Sequence, residues 1–521
     1  MIFALGHMLR LVRAGFVLAR AGTFSHIDLA ILPISARLPF ALAKLIARRP
    51  QGRRDHLPEA VAQLGPSYVK LGQFLATRPD VVGPEVAQRL ERLQDRLPPF
   101  SRELAVKTIE AAFGQKIEQL FVEFGPPVAA ASIAQVHKAR VRDRKGEREV
   151  AVKVLRPGVE RRFRRDLSDM YFAARIAELW FPETKRLKPV EVVDTLARTV
   201  KIEMDFRLEA AAASEFAENT EAEHDFRVPL VDWDRTEKDV LTLEWIDGIP
   251  LSDVATLAAK GYDLPALGRT VIQSFLRHAM RDGFFHADMH QGNLFIDSEG
   301  RLTAVDFGIM GRLGRKERRF LAEIIFGFIT RDYRRVAEVH FEAGYVPREH
   351  AVEDFARALR AIGEPIHART ADKISMAKLL TLLFEVTALF DMRTRTELVL
   401  LQKTMVVVEG VGRGLDPKLD MWATAEPVVR TWIEENLGPV GRLDDARRAV
   451  ISLAKFTSAL PQTLLRAENI VEQLESMAED GFVISEEAIQ KIEAAHSRAL
   501  RLGHLALWFI ALALAGYFIF H

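Results

Sequence analysis

Four polar residues recur in an order that can do chemistry. Lys153 closes Val150-Ala151-Val152-Lys153, and Asp306 opens Asp306-Phe307-Gly308. Between them, Asp288 and Asn293 lie five positions apart in His286-Ala287-Asp288-Met289-His290-Gln291-Gly292-Asn293. A lysine holds nucleotide phosphates, and an aspartate orients or deprotonates an attacking hydroxyl. An amide oxygen paired with a carboxylate suits Mg²⁺. Each piece alone is weak, since a lysine on an apolar strand is often an edge residue reaching water. Together, in this order, they predict phosphoryl transfer from ATP. Asp288 is the expected catalytic residue, Lys153 binds nucleotide, and Asn293 and Asp306 bind the metal.

A lysine inside an apolar strand needs an anionic partner, because a buried unpaired ammonium is costly. The helix-like stretch Glu203-Met204-Asp205-Phe206-Arg207-Leu208-Glu209-Ala210 offers three acids. Asp205 and Glu209 share a helical face and Glu203 points elsewhere. Glu209 is the preferred partner; a surface acid is the plain alternative for each. A rival reading takes His286, Asp288 and His290 as a transition-metal site, since alternation along a strand puts all three on one face. It leaves Asn293 and Asp306 unexplained.

Two features depart from an ordinary kinase. No glycine-rich loop precedes Lys153. Its place is taken by Ala129, Ala130, Ala131, Ser132, Ile133, Ala134, Gln135, Val136 and His137. Alanine resists the positive φ that glycine allows, so a stiffer loop is expected, binding nucleotide through backbone N–H groups and Ser132. After Asp306-Phe307-Gly308, helix-like sequence resumes near Arg315, leaving little room for a segment that docks a peptide.

Five regions would position these residues. Residues 1–55 are basic and apolar. Residues 56–125 have helical periodicity, punctuated by Leu97-Pro98-Pro99-Phe100 and Gly125-Pro126-Pro127. Residues 126–435 are expected to form the kinase-like domain, with its N-lobe to about 246 and its C-lobe after; strands and helices alternate over 126–312, and the pattern is almost wholly helical from about 313 to 435. Within it, Glu149–Val154, Asp239–Ile246, Leu294–Asp297 and Leu302–Val305 read as strands, and Leu264–Asp282 as a helix. Residues 436–500 read as a helical connector and 502–520 as a transmembrane helix. The predicted class is α+β: a protein-kinase-like two-lobed fold with a helical N-terminal extension, an enlarged helical C-lobe and a C-terminal transmembrane helix.

Composition narrows the partners. A formal net charge of +1 gives no reason to expect a nucleic-acid partner. The absence of cysteine excludes disulfides, thiolate metal sites and cysteine nucleophiles. Residues 1–54 carry nine Lys or Arg and one acid, Asp28, so a basic amphipathic surface on anionic lipid is expected. A solvated basic helix face is the alternative. Leu502 to Phe520 is 19 residues without Asp, Glu, Lys or Arg. As a helix it would be about 28 Å long, close to the hydrocarbon thickness of a bilayer. A buried core helix is the rival. Lys491, Arg498 and Arg501 precede the span and only His521 follows, which predicts a single-pass anchor with the main body cytoplasmic.

The chain resembles the UbiB family of atypical protein-kinase-like proteins, linked to ubiquinone biosynthesis. The likeness rests on Lys70-Leu71-Gly72-Gln73, the alanine-rich loop, Lys153, Glu203-Met204-Asp205, the His286–Asn293 segment and Asp306-Phe307-Gly308. It spans roughly residues 20–430. The resemblance implies ATP and Mg²⁺ as cofactors and a bacterial inner-membrane location. Ubiquinone-pathway enzymes or prenylated quinone precursors are its implied partners. It also implies that the Lys70–Gln73 segment folds over the cleft, where Lys70 and Gln73 meet Glu203 and Asp205. Three functions follow as expectations: an atypical kinase or ATPase, a true protein kinase, and a nucleotide-switched scaffold.

Overall fold

In a computed structural model of the chain, the described residues are 2–21, 57–76, 78–90, 98–144, 146–180, 187–367 and 396–437, with isolated positions between them. Most of the expected basic lead after residue 21, nearly all of the 436–500 connector and the expected span 502–520 lie outside them. Among the described residues, no helix is long and apolar enough to cross a membrane.

Alternation in β3 (Gly146–Leu155) organises the N-lobe. Val150, Val152 and Val154 are fully buried on one face, while Ala151 and Lys153 occupy the other. β3 is central in an antiparallel sheet ordered β1 (Glu123–Ala130), β2 (Ala134–Asp143), β3, β5 (Val240–Glu244). Gly125-Pro126-Pro127 does not end a region, as the sequence suggested; it lies inside β1. β1 is an edge strand, where a proline's missing N–H is tolerated, and its register shifts on both sides of Pro127.

Helices cover both faces of this sheet. The extension supplies α1 (Ile2–Arg20), α2 (Leu57–Leu64), α3 (Pro66–Ala76), α4 (Pro84–Leu90) and α5 (Arg102–Phe113). On the valine face, Ile109 and Ala105 of α5 pack against Val141, Val150 and Val152. The Lys153 face meets α6 (Val159–Trp180), α7 (Pro189–Glu203) and α8 (Phe206–Thr220), through Phe163, Leu196 and Phe206. Part of the basic lead is spent internally: His7 and Arg10 of α1 both bond the buried Asp169 of α6.

In the C-lobe, α9 (Leu264–Arg277) has an apolar stripe, an Asp263 cap accepting from the Ala266 N–H at 3.0 Å, and Pro265 in its first turn. Its end widens into a π-turn over His278–Asp282 before Gly283 turns the chain at φ 66°. Only glycine fits there, because a Cβ would come 2.4 Å from the Leu313 carbonyl oxygen. β7 (Phe284–His286) follows and pairs with β10 (Met310–Arg312). A second small sheet is ordered β4 (Phe226–Arg227), β9 (Leu302–Ala304), β8 (Leu294–Asp297), β6 (Gly248–Pro250). The rest is helical: α10 (Arg315–Thr330), α11 (Tyr333–Glu342), α12 (Val352–His367), α13 (Thr396–Leu415) and α14 (Met421–Leu437). Phe275, Phe285, Phe307, Val408 and Val429 share one core beneath the strand ends.

Candidate active site

Lys153 extends from the open face of β3 into a cluster of three charges. Its Nζ lies 2.8 and 3.0 Å from the two Glu209 carboxylate oxygens and 3.0 Å from Asp306 Oδ1. It also sits 5.4 Å from the centre of the Phe206 ring. Glu209 is the buried acid, whereas Asp306 keeps about half its side-chain surface open. Burial works to lower the Lys153 pKa, but the Asp306 and Glu209 charges outweigh it and raise it. Crowding disfavours a charged Asp306, yet Lys153 and the Gly308 N–H hold its carboxyl well below the usual carboxylate range. Burial pushes Glu209 the other way, upward, against the pull of Lys153.

Asp306 is held by its backbone as well. Its φ is 64°, the left-handed region that a non-glycine residue enters at a cost of about 1–3 kcal/mol. The surroundings fix it there. Phe307 is buried 5.6 Å from the His286 ring, and the Val305 N–H donates to the Asn293 carbonyl at 2.9 Å. That bond brings the two expected metal ligands side by side. The Asn293 amide N–H donates to the Asp288 carbonyl at 3.1 Å, which leaves its own amide oxygen as the atom for a cation. An amide oxygen and a carboxylate beside a phosphate site form a hard donor set that fits Mg²⁺.

Asp288 is partly open, with about a third of its side-chain surface exposed and His290 Nε2 3.8 Å from Oδ2. His286 is not a ligand. Its Nε2 donates to the Val305 carbonyl at 3.2 Å and its Nδ1 accepts from the Asp288 N–H at 3.1 Å, so both nitrogens are committed. Burial lowers its pKa and favours the neutral ring that this pattern requires. The His286, Asp288, His290 metal site is therefore not assembled.

The alanine-rich loop closes without any positive φ, through an Ala131 N–H to Ala134 carbonyl bond of 2.8 Å. Arg156 draws it onto the end of β3, donating its backbone N–H to Ile133 and its guanidinium to the Ala131 carbonyl. Only part of the segment faces Lys153. Val136 is its cross-strand neighbour on the same face. Gln135 and His137 point to the opposite face, where Gln135 bonds both polar groups of the Phe100 backbone and His137 bonds the Gly125 carbonyl. Strand alternation places these two away from a nucleotide, as braces behind the loop.

The extension reaches the same region. Lys70 Nζ on α3 pairs with Glu203 Oε2 on α7 at 2.8 Å, with both side chains largely buried. Gly72 lets α3 approach closely, since a Cβ there would meet Leu93 at 2.3 Å. Gln73, on the same helix, is half-buried. Asp205 does not join the lysine; it caps α8 and pairs with Arg207 at 2.7 Å. After the Asp306 turn, β10 and then α10 begin almost at once, with α10 starting at Arg315. A cavity of about 500 Å³ between α10 and α14, lined by Arg319, Phe326 and Ile433, contains none of the cleft residues.

Comparison with known proteins shows the family. The sequence pattern of the ABC1 atypical kinase-like domain matches residues 92–340, and that of the UbiB helical domain matches residues 359–420. A probable protein kinase UbiB of Marinobacter nauticus is 40% identical over 460 residues, covering 87% of this chain and 84% of that one. Its counterpart in Pseudomonas aeruginosa is 42% identical over 419 residues, 80% and 78% of the two chains. A solved structure described as the complex of Rv3197 with erythromycin, from Mycobacterium tuberculosis, is 26% identical. It covers 71% of this chain and 91% of its own with a TM-score of 0.47.

Proposed function

The chain belongs to the UbiB family of atypical kinase-like proteins, and from that premise we propose that it binds Mg-ATP and turns it over in support of ubiquinone biosynthesis. The observation that carries this reading is the Lys153–Glu209–Asp306 cluster beside Asn293, whose amide bonds the backbone of a partly exposed Asp288. Lys153, oriented by Glu209, steadies the phosphates. Asn293 and Asp306 hold the magnesium, which when bound neutralises charge developing on the transferred group. Asp288 orients the attacking oxygen and accepts its proton.

ATP hydrolysis, or transfer to a small or lipid-like acceptor, is favoured over phosphorylation of a protein. The chain passes from Asp306 into α10 with no long segment on which a peptide could lie, and the Lys70–Glu203 pair ties α3 to α7. A nucleotide-switched scaffold remains the non-enzymatic rival; it needs no open catalytic aspartate. We place the main body on the cytoplasmic side of the inner membrane. The apolar run 502–520 would anchor it, in reach of prenylated precursors or pathway enzymes. ATPase assays on the purified full chain, with and without anionic vesicles and a quinone-precursor mimic, test this. Mg²⁺-dependent turnover raised by lipid is expected; no turnover under any of these conditions would favour the scaffold.

A further inference from the structure

Thr404 lies in α13, 117 residues beyond the catalytic loop, yet its hydroxyl reaches that loop. The side chain is fully buried, and Oγ1 sits 3.0 Å from the Ala287 carbonyl oxygen. It is also 2.8 Å from the Leu400 carbonyl oxygen one turn back, so one proton serves two acceptors. A threonine bonding back to its own helix is common. The second acceptor is unusual, because Ala287 belongs to another element and directly precedes Asp288.

The Ala287–Asp288 peptide is gripped at both polar ends. Its carbonyl accepts from Thr404, and its N–H donates to His286 Nδ1 at 3.1 Å. β7 ends at His286, so the strand ladder does not supply these partners. A peptide unit is planar, and fixing both ends fixes the plane from which the Asp288 side chain departs. The same helical region braces the approach to the loop: Trp432 Nε1 of α14 donates to the Met280 carbonyl in the π-turn at 2.8 Å. α13 is placed for this by a close crossing with α9. A Cβ on Gly268 would come 3.0 Å from the Gly412 carbonyl oxygen, two turns along from Thr404.

We propose that Thr404 is a positioning residue for Asp288, and that α13 is the rear support of the catalytic loop. This rests on the phosphoryl-transfer reading of Asp288. The hydrogen bonds of Thr404 go to Ala287 and Leu400 and not to Lys153, Asn293 or Asp306, so loss of its hydroxyl is expected to fall on turnover rather than on nucleotide binding. A displacement on the order of 1 Å at the reacting group costs about 100-fold in rate.

The test compares the full chain with Thr404→Val, Thr404→Ala and Thr404→Ser. The first two are expected to lower kcat by about 10- to 100-fold with KM for ATP within about twofold, and Thr404→Ser to stay within about threefold of wild type. Hydrogen exchange over residues 284–293 should rise in Val and Ala and stay low in Ser. This second readout needs no turnover, so it tests the grip on the loop even if the chain proves inactive. Unchanged exchange in Thr404→Val and Thr404→Ala, or equal kcat losses in all three variants, would overturn the proposal. So would a rise in KM matching the fall in kcat.

Discussion

Removing the Lys153 ammonium would leave Glu209 and Asp306 facing each other without a cation. Glu209 is buried, so the remaining charge is poorly solvated. Lys153→Met should lower stability by about 3 kcal/mol, the lower end for a broken buried pair because Asp306 is half open. It should also weaken Mg-ATP binding by at least about tenfold. Urea unfolding and nucleotide titration check both, and unchanged unfolding would mean that the cluster is not built as described. Spacing narrowed the partner of Lys153 to the acids of one helical face, Asp205 and Glu209, with Glu209 preferred; the fold selects Glu209. The roles of His286 and Asp205 were not readable from spacing. Which nitrogen of a histidine accepts, and which carboxylate caps a helix, depend on neighbours supplied by the fold.

Among the elements, α3 and α7 are joined by a largely buried ion pair. Lys70 and Glu203 are each only about one-eighth exposed, and α7 runs directly into α8, which holds Glu209. A double-mutant cycle of Lys70→Met and Glu203→Met, read by chemical denaturation, should give a coupling of about 1–3 kcal/mol. The double variant should be more stable than Lys70→Met alone, which strands a buried carboxylate. Additivity within about 0.5 kcal/mol would dissolve the link. Strands β3 and β8 and helix α9 were legible because their periodicities are clean. β1 was not: Pro126 and Pro127 look like a break, and only the sheet order reveals an edge strand that tolerates them. Thr404 was invisible for a different reason. One threonine in an apolar helix carries no local signal, and its partner lies 117 residues away.

At the scale of the whole molecule, stability should depend on pH through Glu223. Burial works against its charge, but the hydrogen bond from His278 and the charges of Arg277 and Arg281 bring its pKa down from 4.5 to about 2. A carboxyl depressed on folding stabilises above its unfolded value and loses that contribution as pH falls from 4.5 towards about 2. Glu223→Gln should therefore lower Tm at pH 7 and flatten the acid limb in that window; a parallel shift at every pH would contradict this. The lobes, the Asp306 turn and the tied-down extension support our proposal of a molecule that binds Mg-ATP and gives little purchase to a peptide. That claim is tested most directly by Asp288→Asn, measured for ATP binding and for ATP turnover on the same purified full chain. Binding of Mg-ATP within about threefold of wild type, with turnover reduced by at least about 100-fold, is the predicted result. Turnover retained in Asp288→Asn would contradict the account.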